Sequence, residues 1–122
     1  MLMADRKYDE AETLLSNLIA FLEKQESECE TNTHLVQAYN SMGLILYKKV
    51  EFNKAISFYN KAIKASPTFG PSYYNRGLIY YRLGSFETAK QDIENAVRLE
   101  PKNPEFAFGL QEVINSLNSY SS

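Results

Sequence analysis

The stretch VQAYNSMGLILYKKVEFNKAISFYNKAIKASPTF at residues 36–69 runs directly into GPSYYNRGLIYYRLGSFETAKQDIENAVRLEPKN at residues 70–103, and the second is a variation on the first. Tyr39 falls on Tyr73, Gly43 on Gly77, Leu44 on Leu78, Ile45 on Ile79, Tyr47 on Tyr81, Phe52 on Phe86, Ala55 on Ala89, Ala62 on Ala96 and Pro67 on Pro101. A period of this length, with small residues and aromatics returning in register, marks one supersecondary unit used repeatedly, each copy burying its apolar face on its neighbour.

Inside each copy only helix fits the pattern. Tyr39, Met42, Gly43 and Leu46 stand at i, i+3, i+4 and i+7, which puts them on one face of a helix starting near His34. A break follows at Lys49-Val50-Glu51. A second helix is predicted from about Asn53 to Ala65, with Ala55, Ile56, Tyr59, Ala62 and Ile63 inward, and it stops before Ser66-Pro67. The next copy repeats the plan. Gly70-Pro71 opens a helix with proline where no donor is needed, Leu83-Gly84-Ser85 turns the chain, and Phe86 to Leu99 runs back to Glu100-Pro101. Gly43 or Gly77 on one helix, facing alanines on its partner, allows a close backbone approach that larger side chains would overpack.

These residues resemble the tetratricopeptide repeat (TPR) family. Its pattern asks for an aromatic, Leu-Gly, Tyr, Ala, a further aromatic and Pro. Here it reads Tyr39, Met42-Gly43, Leu46, Ala55, Tyr59, Pro67, then Tyr73, Arg76-Gly77, Tyr80, Ala89, Ile93, Pro101. The departures are tyrosine for tryptophan, Arg76 for leucine and Ile93 for the aromatic. The resemblance implies an all-α fold: a right-handed superhelical α-solenoid of antiparallel helix pairs, here one domain over 1–122 with full repeats at 36–69 and 70–103.

The flanks fit the same plan. Tyr8, Ala11, Leu15, Leu18 and Ile19 match Phe52, Ala55, Tyr59, Ala62 and Ile63 at an offset of one period plus about ten residues, so the segment 5–26 is expected to be the second helix of a repeat. Its partner would lie upstream of Met1, and the chain would begin near the end of that missing helix. The extra residues fall between Lys24 and Thr33; their polar, acidic character predicts a loop at 27–33. Phe106, Leu110, Val113, Ile114 and Leu117 keep helical spacing without the repeat's pattern of glycine and alanine, which predicts a C-terminal capping helix at 104–119.

Each first helix carries a second stripe that pairing does not need. Gln37, Asn40, Ser41, Leu44, Tyr47 and Lys48 run opposite the packing face of one; Tyr74, Asn75, Leu78, Tyr81 and Arg82 do so on the other. In the family the first helices line the concave surface, so the resemblance implies a groove for a partner peptide. There, tyrosine and leucine supply buried area, amides bind the peptide backbone and cations bind carboxylates. The competing reading packs Leu44, Leu78 and some of the tyrosines on adjacent helices. Family members that clamp a chaperone's C-terminal carboxylate do so with lysine, asparagine and arginine on three consecutive first helices. Asn75 occupies one such position, but Asn40, Ser41, Leu44 and Pro71 stand at others, which argues against a chaperone tail as partner.

Composition excludes much else. The 122 residues carry a net charge of −2 and a pI near 5.4, unlike a strongly basic nucleic-acid binder. Residues 1–35 hold eight acids against three bases, whereas Lys48, Lys49, Lys54, Lys61 and Lys64 face only Glu51 within 36–69. That asymmetry leaves an RNA-binding basic face as a minor alternative, and a solvated outer face as the main one. Cys29 and His34 are the only residues of their kinds, so no metal quartet can form and a catalytic Cys–His pair is not expected. The glycines stand singly, without a phosphate loop. Together these readings predict a non-enzymatic protein-interaction module with no cofactor. No signal-length or membrane-length apolar run occurs, and a single cysteine suits a reducing compartment, so a cytoplasmic, or more broadly intracellular, protein is expected. Homo-oligomerisation through the incomplete first repeat is the alternative function, giving a possible homodimer.

Overall fold

Two turns, 34 residues apart, set the chain direction in the same way. In the computed structural model, which describes residues 2–25 and 29–121, helix α2 (Cys29–Lys48) ends where the N–H groups of Val50 and Glu51 donate to the Tyr47 and Leu46 carbonyls, at 2.9 and 2.8 Å. Helix α4 (Gly70–Arg82) ends the same way: Gly84 N–H donates to Tyr81 and Ser85 N–H to Tyr80, at 3.1 and 2.9 Å. Both are Schellman motifs, whose closing residue must adopt the left-handed conformation. Gly84 does so at φ 83° and Val50 at φ 63°. The return helices are α3 (Phe52–Ala65) and α5 (Phe86–Leu99), preceded in the chain by α1 (Leu2–Lys24) and followed by α6 (Pro104–Ser121). Among the described residues there is no strand.

The helices form two compact units, Met1–Pro67 and Thr68–Ser122. In the first, α2 packs on both α1 and α3. A Cβ on Gly43 would come within 2.5 Å of the buried Tyr59 ring, so only glycine admits that ring, and Tyr39 lies tilted against Phe58 with centroids 6.2 Å apart. Toward α1, Tyr39 Oη donates to Glu23 Oε2 at 2.6 Å, and Lys49 Nζ reaches Asp9 Oδ1 and Glu12 Oε1 at 2.6 and 2.7 Å. These hydrogen bonds, that to Asp9 first, raise the Lys49 pKa well above its ordinary value.

In the second unit, α4 packs on α5, and α6 packs on α5 while meeting α4 at Tyr74 and Tyr81. A Cβ on Gly77 would meet Ile93 Cγ1 at 2.8 Å, Asp92 Cβ at 3.1 Å and the Ala89 carbonyl at 3.2 Å. Ala89, Ile93, Ala96, Phe106, Val113 and Tyr74 make its buried core. Beside Gly77, Arg76 grips the buried Asp92 with both forks of its guanidinium, Nε to Oδ2 at 2.8 Å and Nη2 to Oδ1 at 2.7 Å. That bidentate bond raises the Arg76 pKa further.

One expectation needs correction. Of the loop predicted at 27–33, residues from Cys29 onward are helical and belong to α2, while 27 and 28 lie outside the described residues. Polar composition was a poor guide: no glycine or proline occurs between Lys24 and Leu35, and Glu and Gln favour helix.

Candidate functional site

Each unit has its own version of the second stripe. On α2, Gln37, Ser41, Leu44 and Lys48 are exposed at i, i+4, i+7 and i+11, while Tyr39, Met42 and Leu46 on the other face are buried. Leu44 keeps 41% of its surface exposed. Asn40 and Tyr47 are half-buried, and the Tyr47 ring tilts against Phe52 at 5.7 Å. Gln37 and Ser41 also border a cleft of about 320 Å³ shared with Leu15, Leu18 and Leu22 of α1 and with His34 and Ala38. The sequence pattern does not assign those leucines to a site, although the match of Leu15 and Leu18 to α3 at the longer offset marks them as part of a packing face. Lys48 stands in the last turn of α2, where a cation also complements the helix dipole.

On α4 the equivalent positions divide. Asn75, Leu78 and Tyr81 are half-buried and Arg82 is exposed in the last turn. Tyr81 tilts against Phe86 at 5.2 Å, as Tyr47 does against Phe52, and its hydroxyl shares a 2.9 Å hydrogen bond with Ser116 of α6. Tyr74, expected at the centre of the surface, is not available there. Its ring stacks on Phe106 at 4.7 Å, lies against Gly109 and keeps only 8% exposure. Burial, and after it the charge of Glu105, raises its hydroxyl pKa. Helical spacing shows which side chains share a face but not which helix covers that face, and α6 covers this one. With Leu78 and Tyr81, Tyr74 borders a cavity of about 170 Å³ whose other wall is α6. Phe108 and Glu112 of α6 join them, unassigned from sequence; the available signal was an aromatic off the Phe106–Leu110–Val113–Leu117 stripe.

The lysines of residues 48–64 do not form one free cationic face. Lys49 is held by Asp9 and Glu12, Lys54 pairs with Glu51 at 3.2 Å and Lys61 lies over the Phe58 ring at 4.9 Å. Lys54 in turn lowers the Glu51 pKa. Among the described residues no group of His, Cys, Asp and Glu could hold a metal ion, and no helix is long and apolar enough to cross a membrane.

Paired helices joined by identical turns, with a spare stripe on each first helix, define an α-helical repeat protein. Two family models match it, one described as tetratricopeptide repeat over residues 71–103 and one as TPR repeat over 43–84. The chain belongs to the tetratricopeptide repeat family and has its all-α fold. Sperm-associated antigen 1 of Rattus norvegicus is 35% identical over 81 residues, 66% of this chain and 9% of that protein. DnaJ homolog subfamily C member 7 of Homo sapiens is 33% identical over 79 residues, 65% of this chain and 15% of that protein. The chain thus spans a small part of these relatives' length. Among solved structures, the first TPR of Spaghetti (RPAP3) bound to the HSP90 peptide SRMEEVD has a TM-score of 0.66 at 21% identity, covering 89% of this chain and 94% of that one. YrrB, described as a TPR protein with an unusual peptide-binding site, has a TM-score of 0.64 at 23% identity, covering 75% of this chain and 50% of that one. At those identities the likeness concerns the fold.

Proposed function

We propose that the chain is a non-enzymatic protein-interaction module whose first helices, α2 in one unit and α4 in the other, each offer a spare face to a partner peptide. The observation that carries this reading is the exposed stripe Gln37, Ser41, Leu44 and Lys48, on a helix whose other face is already buried. A leucine with 41% of its surface exposed at the centre of such a stripe offers apolar area to a ligand, and alternation of apolar, amide and cationic groups suits an extended peptide. Two proteins of similar fold, one bound to a peptide and one described as having a peptide-binding site, support the reading. An acidic chaperone tail fits less well, because Ser41, Leu44 and Pro71 stand where the family's carboxylate clamp uses cations and amides. The test is affinity capture with the full chain beside its Leu44→Glu and Arg82→Glu variants. Capture should be lost or reduced in both and unchanged for Lys54→Ala; partners that survive both glutamate changes would refute the assignment.

A second reading rests on α1, where Leu14, Leu18 and Phe21 keep 69%, 45% and 57% of their surface exposed. An apolar stripe of this kind marks an interaction surface, here for a second copy of the chain. Sedimentation over a concentration series tests it, with Leu14→Ser and Phe21→Ser removing any association it shows.

A further inference from the structure

The cavity of the second unit is walled by Tyr74, Leu78 and Tyr81 from α4 and by Gly109 and Val113 from α6, with the exposed Phe108 and Glu112 at its mouth. Its size limits the occupant. Cofactor- and drug-sized ligands occupy about 300–1,000 Å³, so about 170 Å³ admits one aliphatic side chain rather than a whole small molecule. The Tyr81 hydroxyl is engaged by Ser116, and the Leu78 side chain and the buried Tyr74 ring supply the rest of the α4 wall, which is therefore largely apolar.

The mouth differs in character from the wall. Phe108 keeps 67% of its surface exposed, although Phe106, Leu110, Val113 and Leu117 already attach α6. Glu105, Phe108 and Glu112 stand at i, i+3 and i+7, so the ring lies between two carboxylates on one face of α6. Both glutamates are exposed, and among the described residues neither carboxylate is ion-paired. A cation over such a ring is attracted by the π face and by two full charges at once. An anion placed there is repelled by both.

We propose that this pocket recognises a partner peptide through an aliphatic side chain inserted between α4 and α6 and a neighbouring lysine or arginine held over Phe108 between Glu105 and Glu112. This rests on the chain being a peptide-binding module, and adds the chemistry of the ligand residues that reach this pocket: apolar and basic, not acidic.

The experiment pans a library of random short peptides, displayed on phage, against the immobilised full chain. Wild type should enrich an aliphatic residue adjacent to Lys or Arg. The Glu105→Lys/Glu112→Lys variant should enrich an aliphatic residue adjacent to Asp or Glu, an inversion that loss of folding cannot produce. A synthetic peptide of the wild-type consensus should bind Phe108→Ala about tenfold more weakly, as for an aromatic anchor, with circular dichroism verifying that the variant stays helical. If the enriched peptides lack a basic residue, or the charge-reversed variant selects the same ones, the pocket assignment is overturned while the module reading stands. If wild type enriches no peptide, both fall.

Discussion

Arg76 and Asp92 stand one period after Met42 and Phe58, so the second repeat places an ion pair where the first has two apolar residues. From sequence, Arg76 was a departure from the family's leucine. The structure supplies its reason in Asp92, a partner on another helix that no local pattern reveals. Removing one member should be costly: Arg76→Met leaves a buried carboxylate without its cation, at about 2–4 kcal/mol. Replacing both, as Arg76→Met/Asp92→Leu, should return stability to within about 1 kcal/mol of wild type or above it, since apolar substitutes for buried pairs are often neutral or better. Urea denaturation of the singles and the double gives the coupling directly; a silent Arg76→Met would show that the pair contributes nothing. Gly77 was legible, because a glycine opposite alanines signals close approach. Gly77→Ala should cost about 1–3 kcal/mol in the same assay, as Ile93 and Asp92 leave no room for a methyl group.

At the scale of elements, α3, α4 and α5 could be read from Pro67, Pro71, Gly84 and Pro101, residues that act on the backbone whatever surrounds them. The extension of α2 back to Cys29 could not, because polarity was mistaken for a break. The second stripe was only partly legible for a related reason: Gly109 of α6, against which Tyr74 lies, falls outside the repeat's register, so the 34-residue pattern does not show how closely α6 approaches Tyr74. The consequence is testable. Tyr74→Ala should act first on stability, costing about 3–5 kcal/mol as an aromatic deletion in a core, and should speed amide exchange in α6. Tyr74→Phe keeps the stack on Phe106 and should stay near wild type. If Tyr74→Ala left α6 protected and the denaturation midpoint unmoved, Tyr74 would return to the list of surface contacts.

For the whole molecule, the exposed face of α1 invites association, and magnitudes limit it. Leu14, Leu18 and Phe21 are each partly covered already, so a pairing of two copies gains about 1 kcal/mol per side chain from burial. The six together barely offset an association cost of about 4–15 kcal/mol. The chain should therefore sediment as a monomer at about 10 μM and self-associate only toward millimolar concentration; a tight dimer would mean that more than this stripe is involved. Heat exposes a different weakness. The same turn closes both repeats, yet only one uses the residue suited to it: Gly84 adopts the left-handed conformation freely, while Val50, β-branched and exposed, is strained by about 1–2 kcal/mol. Some of that relief is offset by glycine's greater freedom in the unfolded chain. Val50→Gly should still raise the melting temperature by a few degrees, since about 1 kcal/mol is worth roughly 4 °C in a domain of this size. By calorimetry the protein would then prove to carry, in one repeat, the means of stabilising the other.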